Sequence, residues 1–447
     1  MSAMKDIVSP NVSRRGFLTN TGRLAAVFAL AGTSTTAITQ TRQAPLTKCG
    51  VVARKEPAAI AMWDFSWALR HDPGCEFADW DKVLDGLVER GYNAIRFDVF
   101  PPLVATGSDG RVNDSHHFPK SGKKPVMWGN QFPTTLHPRQ ALKEFIPRCL
   151  DRGLLLGLST WFFGPGNDPK RVNQLVENVQ GLDGFVRVWD ETLRFLKDND
   201  LLHNIYYVDL LNEYPLFSGF KWLRGQMDDD IKVRGEKAKA DGVHEWKEKV
   251  GNYNNEVSRK FYTGFANDAI TRLQVKWPGL DFLFSLTFNG SADWRVMAPT
   301  KIAALDAHYW FVMNPLLSAK AGYWENIHKL ADSDTEFPKV QEALLKNWTM
   351  HKPKLIEWMD QQMAEVAALG RKHNKPIGNT EGWGIINWLD HPALTWSIIK
   401  EAAEICAVLG HKHGYRFNCT SNFTHPQFPR LWADVAWHKQ MTAKIRG

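Results

Sequence analysis

Ile205-Tyr206-Tyr207-Val208-Asp209-Leu210-Leu211-Asn212-Glu213 is the stretch on which the fold turns. Its first seven residues are apolar or aromatic almost throughout and far too few for a helix of ordinary length. A short, continuous apolar run reads as a strand buried on both faces, which belongs to a parallel sheet. Just upstream, Phe185, Val188, Trp189, Phe195 and Leu196 share one helical face, and before them lies a second run, Leu154–Trp161 (LLLGLSTW). Strand, helix, strand is the unit of a parallel sheet.

The same phrase repeats in both directions. Ala58–Phe65 (AAIAMWDF) reads as a first strand and Asn93–Val99 (NAIRFDV) as the next. Between them Trp80, Val83, Leu84, Leu87 and Val88 line one helical face, with Asp79 as cap and Gly91 as stop. A helix over about Pro138–Arg152 ends at Gly153, where Leu154 begins the third strand. Beyond Leu211, a helix near Glu256–Gln274 precedes Asp281–Thr287 (DFLFSLT), and Ile302–Ala307 (IAALDA) follows quickly. Ile356, Met359, Met363 and Val366 mark a helix ending at Gly370, before Pro376–Thr380 (PIGNT); a last helix ends near Gly410, before Tyr415–Cys419 (YRFNC).

Eight strands alternating with helices predict an α/β fold closed into a (β/α)8 TIM barrel, one domain over residues 45–447. Each unit averages about 49 residues, against roughly 30 in a minimal barrel. The excess lies in three loops after strands two, four and six: Pro101–His137, Tyr214–Tyr253 and Phe311–Lys352. Loops after strands form the active face of such barrels.

Composition agrees and excludes other classes. With 44% hydrophobic and 12% aromatic residues the chain is globular, not disordered. Nineteen Trp predict a thick core or surfaces on which ligands stack. The formal charge of +7 falls to +4 without the first 37 residues, too mild for a nucleic-acid partner. Five cysteines (Cys49, Cys75, Cys149, Cys406, Cys419) share no CxxC or metal spacing, and no GxGxxG is present, so no metal and no cofactor is expected. One disulfide is compatible with an oxidising compartment, and Cys149 follows Leu142, Phe145 and Ile146 at helical spacing as a buried apolar residue.

The N-terminus reads as an address. Ser13-Arg14-Arg15-Gly16-Phe17-Leu18 precedes the apolar stretch Leu24–Ala31 and the small residues Thr35-Thr36-Ala37. Paired arginines, a short apolar region and a small-residue site predict a twin-arginine signal peptide within residues 1–44, removed near Ala37 or Ala44. The apolar run is shorter than the ~20 residues of a spanning helix. The expected route is therefore the twin-arginine export machinery of a bacterium, to the periplasm or beyond, with no stable membrane span after processing.

Two carboxylates stand at two strand ends: Glu213 after the fourth strand and Glu381 after the seventh, in Asn379-Thr380-Glu381-Gly382-Trp383. Hydrolysis of a glycosidic bond needs such a pair, one group protonated at the leaving oxygen and one ionised at the sugar carbon. Asn212, ahead of Glu213, is suited to hold a sugar 2-hydroxyl. Trp161 and Trp383 sit at strand ends where a sugar ring can stack, and Asp209 lies two pleats below Glu213 as a structural residue.

With these residues in place the chain resembles the clan A glycoside hydrolases, nearest the cellulase-like branch around family 5. The resemblance covers most of residues 58–447. It implies a retaining β-glycosidase without a cofactor, acting on an oligo- or polysaccharide. Glu213 then matches the general acid/base and Glu381 the nucleophile. Arg96 matches a second-strand arginine that keeps the nucleophile ionised, although Asp98 and Asp209 are alternative partners for it. His308, placed after strand six, matches a histidine near the acid/base. The chain has His308-Tyr309-Trp310 where the family often has His-x-Tyr, and Ser159-Thr160-Trp161 where a third-strand His is common. Tyr309 and Trp310 join the candidates for substrate contact. Two other readings compete: a glycan-binding barrel without catalysis, and an exported redox enzyme, against which the missing cofactor motifs argue.

Overall fold

The computed structural model describes residues 49–447 except 121–128, 163–175, 177–178, parts of 217–255, 288–293, 324–332, 386–389 and 423. The twin-arginine segment lies outside the described residues. Eight parallel strands follow in chain order: β1 (Ala58–Asp64), β2 (Ala94–Asp98), β3 (Leu155–Ser159), β4 (Ile205–Asp209), β5 in two pieces (Phe282–Leu283 and Leu286–Thr287), β6 (Leu305–Trp310), β7 (Ile377–Asn379) and β8 (Phe417–Cys419). Each pairs with its neighbours, and β8 pairs with β1, so the ladder runs round a (β/α)8 barrel. The first piece of β5 pairs with β4 and the second with β6, leaving Phe284–Ser285 between them free of the ladder. Every residue of these strands is buried, which is why β1, β3 and β4 read as nearly continuous apolar runs.

A helix follows each strand: α1 (Trp80–Glu89), α2 (Pro138–Asp151), α3 (Gly181–Asp198), α4 (Glu256–Lys276), the single turn α5 (Trp294–Met297), α6 (Glu336–His373), α7 (Trp396–His413) and α8 (Val435–Arg446). Asp79 caps α1, accepting from the Lys82 amide at 3.0 Å. Gly91 follows α1 with φ 85°, and a Cβ there would lie 2.3 Å from Thr442 Oγ1 in α8. Only glycine fits both the left-handed backbone and that approach.

Two boundaries differ from expectation. β6 runs Leu305–Trp310 rather than Ile302–Ala307, so His308, Tyr309 and Trp310 lie in the strand, not after it. Inside a barrel the alternate positions Asp306 and His308 point at other polar groups, which hides the strand from an apolar count. The expected loop Phe311–Lys352 ends early, because α6 already starts at Glu336 and passes through Pro338 and Pro353. Phe337, Val340, Leu344 and Trp348 bury one face of that first part, and this packing outweighs the proline. A hairpin, His116–Phe118 with Thr134–Leu136, occupies the loop after β2.

All five cysteines carry free thiols, Cys149 fully buried among them. Among the described residues no helix is long and apolar enough to cross a membrane.

Aromatic rings fill the lower barrel. The Tyr207 and Phe417 rings lie 6.0 Å apart, and glycines opposite make the room: a Cβ on Gly157 would meet the Tyr207 ring at 2.6 Å, one on Gly378 the Phe417 ring at 2.3 Å and its carbonyl oxygen at 2.3 Å. Backbone cannot yield as a side-chain tip can. Gly378→Ala is therefore expected to destabilise by about 1–3 kcal/mol, the range of overpacked cores. A urea midpoint equal to that of the unaltered protein would contradict this packing.

Candidate active site

The two glutamates meet above the barrel. Glu213 and Glu381 are 4% and 5% exposed, and one oxygen of each lies within 4.8 Å of the other and of a His308 ring nitrogen. Separate local devices hold each of them.

At β4, Asp209 accepts from Ser159 Oγ at 3.0 Å, from the Ser285 amide at 2.8 Å and contacts Ser285 Oγ at 2.8 Å. Ser285 occupies the break in β5 and reaches across to the end of β4. Its hydroxyl accepts from the Glu213 amide at 3.0 Å and lies 2.9 Å from Asn212 Oδ1, while its carbonyl accepts from the Tyr214 amide. Glu213 itself has φ 49°, a left-handed conformation that a non-glycine residue holds only where its surroundings impose it. Asn212 is buried, and among the described residues its Nδ2 has no hydrogen-bond partner. A buried unsatisfied donor is costly, so this amide is prepared for an acceptor.

At β7, Asn379 Oδ1 accepts from the Glu381 amide at 2.9 Å, and Asp306 of β6 holds the Thr380 amide at 2.9 Å and its hydroxyl at 2.6 Å. The Arg96 guanidinium, fully buried, places Nη2 3.0 Å from Glu381 Oε2 and Nη1 2.8 Å from Thr380 Oγ1. Asp98 and Asp209 are not its partners. The Asp98 oxygens accept from the amides of Phe100 and Trp161, and burial pushes this carboxyl up to about 8. Asp209 is committed to Ser159 and Ser285. The carboxylate that meets Arg96 besides Glu381 is Asp64 at the end of β1, 3.1 and 3.2 Å from Nη2.

His308 lies between the carboxylates. Nδ1 is 3.0 Å from Glu213 Oε1 and 3.6 Å from Glu381 Oε2; Nε2 is 3.6 Å from Asp306 and 3.3 Å from Thr380 Oγ1. Burial alone would lower the imidazole, but the charge and hydrogen bond of Asp306, then Glu213 and Glu381, raise it to about 10. His308 is thus an imidazolium with both N–H groups donating. Arg96 Nη1, 3.4 Å from Nε2, is a second cation alongside it rather than a partner.

Glu381 departs from the expectation that Arg96 simply keeps it ionised. Burial and the nearby charge of Glu213 push its carboxyl up to about 7, against the opposing pull of His308 and Arg96. Arg96 offsets only part of this because Asp64 shares the same nitrogen.

Of the other candidates, Trp161 is brought to the cluster, its indole N–H donating to Asp64 Oδ2 at 3.0 Å. Trp383 is buried and donates to the Cys419 carbonyl at 3.0 Å; its residue pairs with Trp310, also buried, through the strand ladder. Tyr309 is not brought to the site. It alternates with His308 and Trp310 to the outside of the barrel, where its hydroxyl approaches the Gln362 carbonyl of α6 at 3.4 Å. Sequence reading missed Asp64, Ser285 and Asp306, each a single polar residue in or beside an apolar strand, and Thr380, which stands between Asn379 and Glu381.

Glu213, His308 and Glu381 each offer one atom with which to ligate a metal. A divalent cation there would face an imidazolium and a guanidinium, so the set suits proton transfer and charge stabilisation instead.

A family model described as sugar-binding cellulase-like matches residues 60–446. The chain belongs to this cellulase-like family. Among solved structures, this cellulase-like protein resembles a candidate glycoside hydrolase from Parabacteroides distasonis, with 25% identity, TM-score 0.68, and 88% of this chain and 94% of that one covered. It also matches cellulose synthase subunit Z from Clostridioides difficile (10% identity, TM-score 0.49, 87% and 100% covered) and Thermotoga maritima Cel5A in complex with mannotriose (11%, 0.42, 85% and 92%). No curated protein sequence matches the chain.

Proposed function

We propose that this cellulase-like protein is a retaining β-glycosidase that cleaves a β-linked glycan by double displacement, exported by the twin-arginine route to the periplasm or beyond. The observation that carries the reading is the approach of Glu213 and Glu381 to within 4.8 Å at the ends of β4 and β7. Carboxyl groups roughly 5–5.5 Å apart suit a covalent glycosyl-enzyme, whereas inversion needs roughly 6.5–9.5 Å to admit a water.

Glu381 attacks the anomeric carbon while Glu213 protonates the departing oxygen; water, activated by Glu213, then releases the sugar. His308 steadies Glu213 on Oε1 and leaves Oε2 to face the leaving group. The vacant Asn212 Nδ2 donates to the sugar 2-hydroxyl, and Trp161, Trp310 and Trp383 supply aromatic wall.

A screen of aryl β-glycosides and β-linked polysaccharides tests the reading, with hydrolysis expected. Glycan binding without hydrolysis of any of them would favour a binding barrel instead. The site also sets the pH response. Attack requires ionised Glu381, so kcat/KM is expected to fall as pH drops through about 7, well above the ~4.3 of a free carboxyl. A flat profile down to pH 5 would contradict this environment for Glu381.

A further inference from the structure

Asp64 has no counterpart among the residues expected from the sequence. It closes β1 with φ 37°, is fully buried, and stands among the few non-glycine residues with left-handed backbone. Its two oxygens lie 3.1 and 3.2 Å from Arg96 Nη2, the same nitrogen that lies 3.0 Å from Glu381 Oε2. One guanidinium nitrogen therefore serves two carboxylates, from the ends of β1 and β7, which flank β8 in the barrel. Asp64 Oδ2 also takes the indole N–H of Trp161 at 3.0 Å.

We propose that Asp64 is a positioning residue for Glu381: by drawing Arg96 toward itself it weakens the hold of the guanidinium on the nucleophile, and with its second contact it fixes the Trp161 ring at the edge of the site. The inference rests on the reading of Glu381 as nucleophile. An arginine given wholly to Glu381 would lock that carboxylate in a two-point pair and reduce its readiness to attack. Shared with Asp64, it orients Glu381 while leaving its charge less fully compensated.

The charged and titratable groups facing Glu381 come from every neighbouring strand: Asp64 of β1, Arg96 of β2, Glu213 at the end of β4, His308 of β6 with Asp306 behind it, and Cys419 of β8. Of the carboxylates, Asp64 is the one bonded to the same guanidinium nitrogen as Glu381. Its removal thus acts on Glu381 with one sign. The charge opposing ionisation disappears and the charge favouring it is released, so Glu381 ionises at lower pH.

The test is a carbon-13 NMR titration of the Glu381 carboxyl in the full-length folded protein and in Asp64→Asn. The midpoint is expected to fall by about one pH unit in the variant, and the acid limb of kcat/KM to move with it. Asp64→Ser, neutral and smaller, should give the same direction. Trp161→Phe removes the indole hydrogen bond but keeps the charge, and should leave the midpoint in place; a purely structural role for Asp64 would make the two variants alike. A midpoint unchanged or raised in Asp64→Asn overturns the proposal. So does an unaltered protein in which Glu381 titrates at the ~4.3 of a free carboxyl, a measurement that needs no variant to fold. Because the titration does not require turnover, a protein inactive on every glycoside would refute the proposed function and leave this result to stand or fall separately.

Discussion

Glu381→Ala is expected to lower kcat/KM on the order of 10⁴-fold or more, on reactive aryl glycosides and on natural linkages alike, because the group that forms the covalent bond is gone. Leaving-group reactivity offers no relief, since no acid is missing. Azide supplied in solution should enter the vacated space beside Arg96, whose Nη2 would otherwise face the lost Glu381 oxygen, and restore turnover. Attack from that side on a β-glycoside gives the α-azide. Undiminished activity in this variant would remove Glu381 from the mechanism.

Glu213→Ala is expected to behave differently. With poor leaving groups the loss should reach about 10²–10⁴-fold, the usual worth of a general acid. With an activated aryl group, which departs with little protonation, the first step should suffer far less and the glycosyl-enzyme should accumulate. Azide then attacks the intermediate from the side vacated by Glu213, giving the β-azide. Exchanged product anomers between the two variants would reverse the two roles. His308 would lose the carboxylate partner 3.0 Å from its Nδ1, so a protein in which both variants behave alike would locate proton donation elsewhere.

How much of this was legible in the sequence depended on where each signal resides. Strands β1 to β4 read directly because they are buried on both sides, which leaves a mostly apolar run in the chain, broken in β2 by Arg96. The β6 boundary did not, because Asp306 and His308 face the polar interior of the mouth and interrupt that run. The start of α6 was hidden by Pro353, a residue that opposes helix locally but is outweighed by the buried face of Phe337, Val340, Leu344 and Trp348. Glu213 and Glu381 stood out as acids closing apolar strands. The contact of Arg96 with Glu381 was expected, but its second carboxylate was not: spacing puts Asp98 on its own strand face, yet Asp98 is taken by two backbone amides, and Asp64 is brought near instead by the pairing of β1 with β2. Ser285 was equally silent, since its role depends on a break in β5 that only the ladder reveals.

The most direct test of the account is to trap the intermediate. Incubation with activated 2-deoxy-2-fluoro-β-glycosides of several sugars slows both displacement steps, the second most where the leaving group is reactive, so the glycosyl-enzyme persists for peptide mass spectrometry. The account predicts one added sugar per chain, carried on the peptide containing Asn379-Thr380-Glu381 and lost from the Glu381→Ala variant. A label on the Glu213 peptide instead, or turnover of the parent glycosides with inverted product and no labelled peptide, would contradict it.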